Sequence, residues 1–196
     1  MTNRFRTIVA DPPWPIVWRP GKSRRNGRGE RHGNIKRDLG YRTMSIEEIV
    51  AVPVYELAEF EAHLYLWTTD RFLLDGSAAR VARAWGFDPR RLLVWKKSGF
   101  GLGTFPRPQH ECCVVAVRGS CPFKVRNVGS VQNWGLVYRT IDGVPRRWHS
   151  AKPEGFFSVV ESASPGPYLE LFARKRRPGW AAWGDEVASD VSIAKA

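Results

Sequence analysis

Apolar and polar positions along this chain fall into short blocks that switch between a period of two and a period of three to four. Residues 4–10 end in the compact apolar run Thr7-Ile8-Val9-Ala10 and predict a buried strand. Ser45-Ile46-Glu47-Glu48 is a capping box and predicts a helix start at Ser45, with Pro53 opening or kinking a second short helix through about residue 59. Residues 63–69 read as a strand with Leu64 and Leu66 on one face and Tyr65 and Trp67 on the other. A helix is predicted over 72–85, stopped by Gly86, and strands over 91–96 and 111–117 around a Gly/Pro loop at 98–109. Residues 120–150 read as irregular and basic with one strand near 137–141. A helix is predicted from Pro153 to about residue 161 with proline in its first turn. Ser164-Pro165-Gly166-Pro167 predicts a turn, followed by strands at 168–173 and 180–183. Strands alternating with helices predict an α/β fold with a largely parallel sheet. Ligands in such folds sit beyond the C-terminal ends of strands, where Asp11 and Arg174-Lys175 stand.

The first strand runs directly into Asp11-Pro12-Pro13-Trp14. Two prolines fix φ near −65° and remove two backbone donors, while their carbonyls remain acceptors. A carboxylate and a proline carbonyl suit the two protons of an amino group on a planar base, with the indole available to stack on the ring. A plain strand-ending turn has the same residues, so the tetrapeptide alone leaves both readings open.

A length of 196 residues predicts one domain over residues 1–187 followed by a frayed, flexible tail at 188–196. The formal net charge of +12 changes the picture, because it points to a polyanionic partner, most simply nucleic acid. The basic residues crowd into 15–43, which holds Arg19, Lys22, Arg24, Arg25, Arg28, Arg31, Lys36 and Arg37 among glycines and reads as a mobile basic lid that meets phosphates. Lys96, Lys97, Arg107, Arg146 and Arg147 are further candidates for phosphate contacts. Cys112, Cys113 and Cys121 read as small buried hydrophobes of a reducing compartment. His110 lies close by, but no second ligand pair has zinc spacing, so no metal site is expected. No signal peptide opens the chain and no apolar run could span a bilayer, which predicts a cytoplasmic protein without a membrane partner. Gly-x-Gly-x-x-Gly and Walker A stretches are absent, so neither a dinucleotide nor a P-loop reading is supported.

Asp11-Pro12-Pro13-Trp14 is followed by Tyr41-Arg42-Thr43-Met44-Ser45, by His149-Ser150-Ala151-Lys152-Pro153-Glu154, and by Ser164 to Arg174 running on to Trp180 and Trp183-Gly184. In this order the four stretches resemble the MT-A70 family of adenine-N6 methyltransferases over about residues 5–187. The resemblance implies a Rossmann-like methyltransferase fold with permuted motif order, the catalytic motif preceding the cofactor motif, and S-adenosylmethionine as cofactor. It implies that Asp11 faces both the target amino group and the methionine end of the cofactor. It also implies that Lys152 meets the methionine carboxylate, Glu170 contacts the ribose hydroxyls, and Phe172 and Arg174 line the same pocket.

Two departures stand out. Gly184-Asp185-Glu186 replaces the family's usual Gly-Asn-Gln or Gly-Asn-Glu, so Asp185 accepts hydrogen bonds but cannot donate an amide proton. Arg176 and Arg177 stand where the eukaryotic members carry a His-Asn pair, which shifts ribose recognition toward Glu170 and backbone. The expected reaction is methyl transfer to the N6 amino group of adenine, with hydrogen bonds from that group to Asp11 and the Pro12 carbonyl freeing its lone pair and Trp14 stacking on the base. DNA is the favoured substrate. An RNA methyltransferase and a catalytically inactive nucleic-acid-binding subunit are the alternatives, and pairing into a homodimer stays open.

Overall fold

The computed structural model describes residues 4–16, 42–99, 105–135, 138–141, 144–147 and 151–193. The first strand, β1 (Phe5–Ala10), lies inside a seven-stranded sheet and is buried almost throughout. Helices α1 (Ile46–Val50) and α2 (Val54–Leu57) follow. The capping box at Ser45 forms as the sequence predicts: the Ser45 hydroxyl accepts from the Glu48 N–H, and the Glu48 carboxylate accepts from the Ser45 N–H. Strand β2 (Ala58–Thr68) begins five residues before the predicted start, because its first part continues the sheet beside Phe5 and Ala62 pairs with Arg118.

The helix expected over 72–85 is two helices, α3 (Asp70–Leu74) and α4 (Ser77–Ala84). Gly76 at φ 80° turns the backbone left-handed, and the Asp75 carboxylate caps the new start by accepting from the Ser77 N–H at 2.9 Å. Strands β3 (Asp88–Lys96) and β4 (His110–Arg118) form a long antiparallel pair. The segment 120–150 has β5 (Val131–Gln132), then the strand expected near 137–141 as β6 (Tyr138–Ile141), which pairs in a hairpin with the unexpected β7 (Val144–Arg147). Helix α5 (Glu154–Ala163) has Pro153 as its N-cap, and β8 (Tyr168–Leu171) and β9 (Trp180–Trp183) complete the sheet.

The strand order is β5-β3-β4-β2-β1-β8-β9. Four of the six pairings are parallel; only β4, which runs against both β2 and β3, departs from the pattern. Helices cover both faces, giving the expected Rossmann-like arrangement. Ile8, Ala10, Leu64, Leu66, Leu169 and Leu171 point to the face covered by α1–α4. Val9, Tyr65, Trp67, Cys113 and Val115 point to the face covered by Phe156, Phe157 and Val160 of α5. This period-two division of each strand decides which residues reach the site. The three cysteines are buried and free, as predicted.

The tail does not run loose after residue 187. Asp190 exchanges backbone and side-chain hydrogen bonds with Ala182 and pairs with Arg176 at 2.6 Å, and Val191 and Ile193 pack against the core. No helix among the described residues is long and apolar enough to cross a membrane.

Candidate active site

Because β4 runs against its neighbours, its first residues meet the last residues of β1, β2, β3 and β8 along one edge of the sheet. Asp11 follows β1 there. Lys152, two residues before α5, places Nζ 2.6 Å from Asp11 Oδ2 and 3.2 Å from Glu111 Oε2. The other Glu111 oxygen pairs with Lys97. The result is an alternating line of charge, Lys97–Glu111–Lys152–Asp11. Aromatic rings floor it, with Lys152 Nζ 5.0 Å from the Trp67 ring centroid and Lys97 Nζ 4.6 Å from that of Trp95. The Lys152 side chain is 10% exposed and that of Asp11 31%, so Asp11 is the more accessible member of the pair, and both line the cleft.

Burial pushes the Asp11 carboxyl up from its ordinary range, against the pull of Lys152. Burial would lower Lys152, but Asp11 and Glu111 outweigh it and hold the ammonium protonated well beyond its usual range. Glu111 is lifted by burial but brought below the ordinary carboxylate value by Lys152 and Lys97. Lys97 is thereby committed to Glu111 rather than standing ready for a phosphate.

The residues expected to hold a cofactor come together on this side of the sheet. Asp11, Lys152, Glu170, Phe172 and Arg174 line one cleft, joined by Trp67, Phe157 and Arg177. Glu170 sits opposite Val9 in the β1–β8 register and so shares its face. Phe172, at φ 61°, directly follows β8, and Arg174 pairs with Glu186 at 2.7 Å. The buried side-chain polar atoms without a hydrogen-bond partner, among the described residues, are Trp67 Nε1, Glu170 Oε2, and Arg177 Nε and Nη2, and all belong to residues lining this cleft. Such atoms are costly unless a ligand satisfies them. Burial pushes the Glu170 carboxyl up to about 7, with Arg177 and Lys175 pulling down and Asp11 and Glu154 pushing further up.

Two expectations are corrected by the geometry. Trp14 offers no face to a base: it is 3% exposed, stacks on Phe72 with centroids 4.9 Å apart, and donates from Nε1 to the Trp67 carbonyl. The prolines cause this, since Trp14 N–H turns back to the Pro12 carbonyl at 2.8 Å and drives the indole into the core. The Pro13 carbonyl accepts from Met44 N–H at 2.8 Å, so both proline carbonyls already accept one backbone hydrogen bond. Asp185 is exposed and is not among the residues that line the cleft, and its exposed neighbour Glu186 pairs with Arg174 at 2.7 Å.

The basic candidates Arg19, Lys22, Arg24, Arg25, Arg28, Arg31, Lys36 and Arg37 lie outside the described residues. Sequence reasoning missed Glu111, Trp67 and the inward role of Arg177; an acidic residue opening the apolar run of β4 was the one available signal. It also missed that Asp70 joins His110 and Cys112, whose potential ligand atoms lie within 4.8 Å of one another and whose imidazole already bonds Asp70 at 2.9 Å.

Comparison with known proteins gives a match to the MT-A70 family model over residues 5–186. The chain is 26% identical to a type II methyltransferase, M.MunI, of a Mycoplasma species, over 94% of this chain and 78% of that protein. It is 28% identical to the mouse N(6)-adenine-specific methyltransferase METTL4, over 93% of this chain and 37% of that protein. It is 30% identical to the N6-methyladenosine RNA methyltransferase MTA1 of Cryphonectria parasitica, over 93% of this chain and 52% of that protein. The chain thus spans most of the first relative's length but about half or less of the other two.

Proposed function

The chain belongs to the MT-A70 family, and on that premise we propose that it methylates the N6 amino group of adenine in nucleic acid, with S-adenosylmethionine as donor. The observation that carries this reading is the union of an accessible carboxylate, Asp11, with a cleft whose lining residues hold all the unpartnered buried polar side-chain atoms found among the described residues. The donor set fits the cofactor: Lys152 for a carboxylate, Asp11 for an ammonium, and Glu170 with Arg177 for hydroxyls.

When bound, S-adenosylmethionine supplies a methyl group on an electrophilic sulfonium. The protein's own task is to present the amino group. Adenine N6 is a weak nucleophile because its lone pair is delocalised into the ring. Asp11 and the second lone pair of the Pro12 carbonyl are the acceptors assigned to its two protons in this reading, and those hydrogen bonds would favour a pyramidal nitrogen and stabilise the positive charge that develops there. Lys152 fixes Asp11, and Glu111 with Lys97 fixes Lys152, so the acceptor is held in place before the base arrives. The target base has to leave a helical stack or come from a single strand to reach Asp11.

DNA is the substrate of first choice and RNA the second, the latter kept in view by the relative named for N6-methyladenosine in RNA. The test is to incubate the protein with S-adenosylmethionine and, separately, duplex DNA, single-stranded DNA and RNA, then to digest each to nucleosides and measure N6-methyladenine by mass spectrometry. Product is expected in one pool and lost by at least about a hundredfold with Asp11→Ala, as for removal of a group that stabilises transition-state charge. Full turnover by Asp11→Ala would remove Asp11 from this role, and no product in any pool would favour a binding subunit.

A further inference from the structure

The face of β4 turned away from the ion pairs carries a second group of chemically active side chains. Side chains alternate along a strand, so His110 and Cys112 share the face of Val114, while Glu111 between them points to Lys97 and Lys152 on the other. Asp70 opens α3 just after β2, and β2 lies beside β4 with Thr68 opposite Cys112. Two hydrogen-bonded strands thus deliver a carboxylate, an imidazole and a thiol whose potential ligand atoms lie within 4.8 Å of one another. His110 Nε2 already bonds Asp70 Oδ1 at 2.9 Å. The Cys112 thiol is buried, and among the described residues it makes no hydrogen bond, whereas those of Cys113 and Cys121 do. Burial, with Asp70 and Glu111 nearby, pushes this thiol up to about 11, which makes it a poor nucleophile on its own.

Three donors of different kinds converging on one point suit a cation. Magnesium and calcium take oxygen ligands, whereas a thiol beside an imidazole selects a softer ion. Zinc bonds of about 2.0–2.3 Å place tetrahedral neighbours about 3.3–3.6 Å apart. From the observed spacing, the imidazole and carboxylate have to part by about half an ångström and the widest pair has to close by about 1 Å. Cys112 is fixed in the sheet, but Asp70 and His110 are half-buried and have room to turn, and their outer side is the path by which an ion enters. We propose that Asp70, His110 and Cys112 bind one zinc ion, with the fourth position left to water. The thiol gives its proton to solvent as the sulfur–zinc bond forms. The ion ties α3 to the first residues of β4, directly behind Glu111, and so braces the backbone from which Glu111 holds Lys152. This site stands apart from the methyl-transfer reading and does not rest on it.

The test strips the full chain with a chelator, dialyses it, and titrates it with cobalt(II) and then zinc(II). Wild type is expected to show thiolate-to-cobalt charge-transfer absorption in the near ultraviolet and intense visible bands of tetrahedral cobalt. Both should saturate at one cobalt per chain and be bleached by one equivalent of zinc. Cys112→Ser is expected to lose the charge-transfer absorption and to bind zinc at least about a hundredfold more weakly, because losing even a partner behind a ligand costs about 10–100-fold. His110→Ala, at a half-buried position, is expected to weaken binding at least about tenfold and keeps the test open if the serine variant folds poorly; Asp70→Asn is expected to weaken it about tenfold. No charge-transfer absorption from wild type at millimolar cobalt would overturn the site. So would variants that keep the wild-type spectrum and affinity, since the ion would then be bound elsewhere. None of these readouts involves S-adenosylmethionine or methyl transfer, so failure of the zinc site leaves the proposed function standing, and failure of that function leaves the zinc site standing.

Discussion

Glu170 is the residue whose charge state is most conspicuously unsettled in the ligand-free protein. Burial raises its carboxyl to about 7, and the groups facing it are Arg177 and Lys175 on one side of the balance and Asp11 and Glu154 on the other. A carboxyl raised in the folded state takes up a proton on folding at intermediate pH. Its contribution to stability is therefore fully present below the ordinary value of about 4.5 and is lost as pH rises through about 7. Glu170→Gln removes that liability, so the variant is expected to be more stable than wild type by about 1–3 kcal/mol at pH 8, with the gain vanishing toward pH 4.5. Urea unfolding at both pH values checks this, and a gain that is constant across them would refute the assignment. The same substitution is expected to weaken S-adenosylhomocysteine binding, so that one residue trades stability for ligand affinity. Asp11, Lys152 and Glu170 were legible in the sequence because each lies in a short stretch whose chemistry is local. Glu111, Trp67 and Arg177 were not, because their roles arise from strand registers and a loop return that join positions far apart in the chain. Trp14 was misread for the opposite reason: an indole after two prolines satisfies a binding motif and a core position equally well, and only packing on Phe72 decides between them.

At the scale of elements, the end of the sheet remote from the cleft is locked by a buried polar chain. The Cys121 carbonyl can only accept, so His63 carries its proton on Nε2; Nδ1 then accepts from Ser164, and the Tyr65 hydroxyl donates to Ser164. Burial holds the His63 imidazole below its ordinary value, in keeping with the neutral ring this chain requires. Ser164→Ala would strand both His63 Nδ1 and the Tyr65 hydroxyl, and is expected to cost about 1–3 kcal/mol by chemical denaturation. Because His63 stands beside Thr7 at the start of β1, whereas Asp11 follows the end of that strand, methyl transfer well below the melting point should be unchanged. A loss of activity without a loss of stability would contradict this separation. Gly184 makes the converse case. A Cβ there would lie 2.2 Å from the Ala173 carbonyl oxygen, backbone that cannot yield cheaply. Gly184→Ala is expected to destabilise the fold by about 1–3 kcal/mol and to weaken ligand binding by shifting Phe172 and Arg174, both read by calorimetry; wild-type stability and affinity would show that this contact gives way. Elements announced by local chemistry, such as the Ser45 capping box and the strand before Asp11, were legible in advance. The break at Asp75-Gly76 and the early start of β2 were not, since the first depends on one left-handed residue and the second on a neighbouring strand that offers an edge.

For the whole molecule, alternating periodicity announced a mostly parallel α/β sheet but not the reversal of β4, and that reversal is what brings Glu111 beside Lys152. Charge adds a further separation. Half of the formal excess of +12 comes from residues 17–41, where eight basic residues stand against Glu30 and Asp38. In the described part, Lys97, Lys152, Arg174, Lys175, Arg176 and Arg177 are all in ion pairs with carboxylates. Cations already paired release few counterions on meeting a polyanion, so the attraction for nucleic acid is expected to reside mainly in the basic segment that follows Asp11-Pro12-Pro13-Trp14. Each phosphate neutralised on duplex DNA adds about −0.9 to the slope of log affinity against log salt concentration. Replacing Arg24, Arg25 and Arg28 by glutamine should therefore flatten that slope by as much as about 2.7, weaken binding most at low salt, and leave S-adenosylhomocysteine affinity untouched. Fluorescence anisotropy with labelled DNA across a salt series measures all of this except the cofactor, which calorimetry supplies. An unchanged slope would move the phosphate contacts to the described residues, and Glu154→Gln, which releases Lys175 and Arg177 from their carboxylate, would then be expected to steepen the salt dependence.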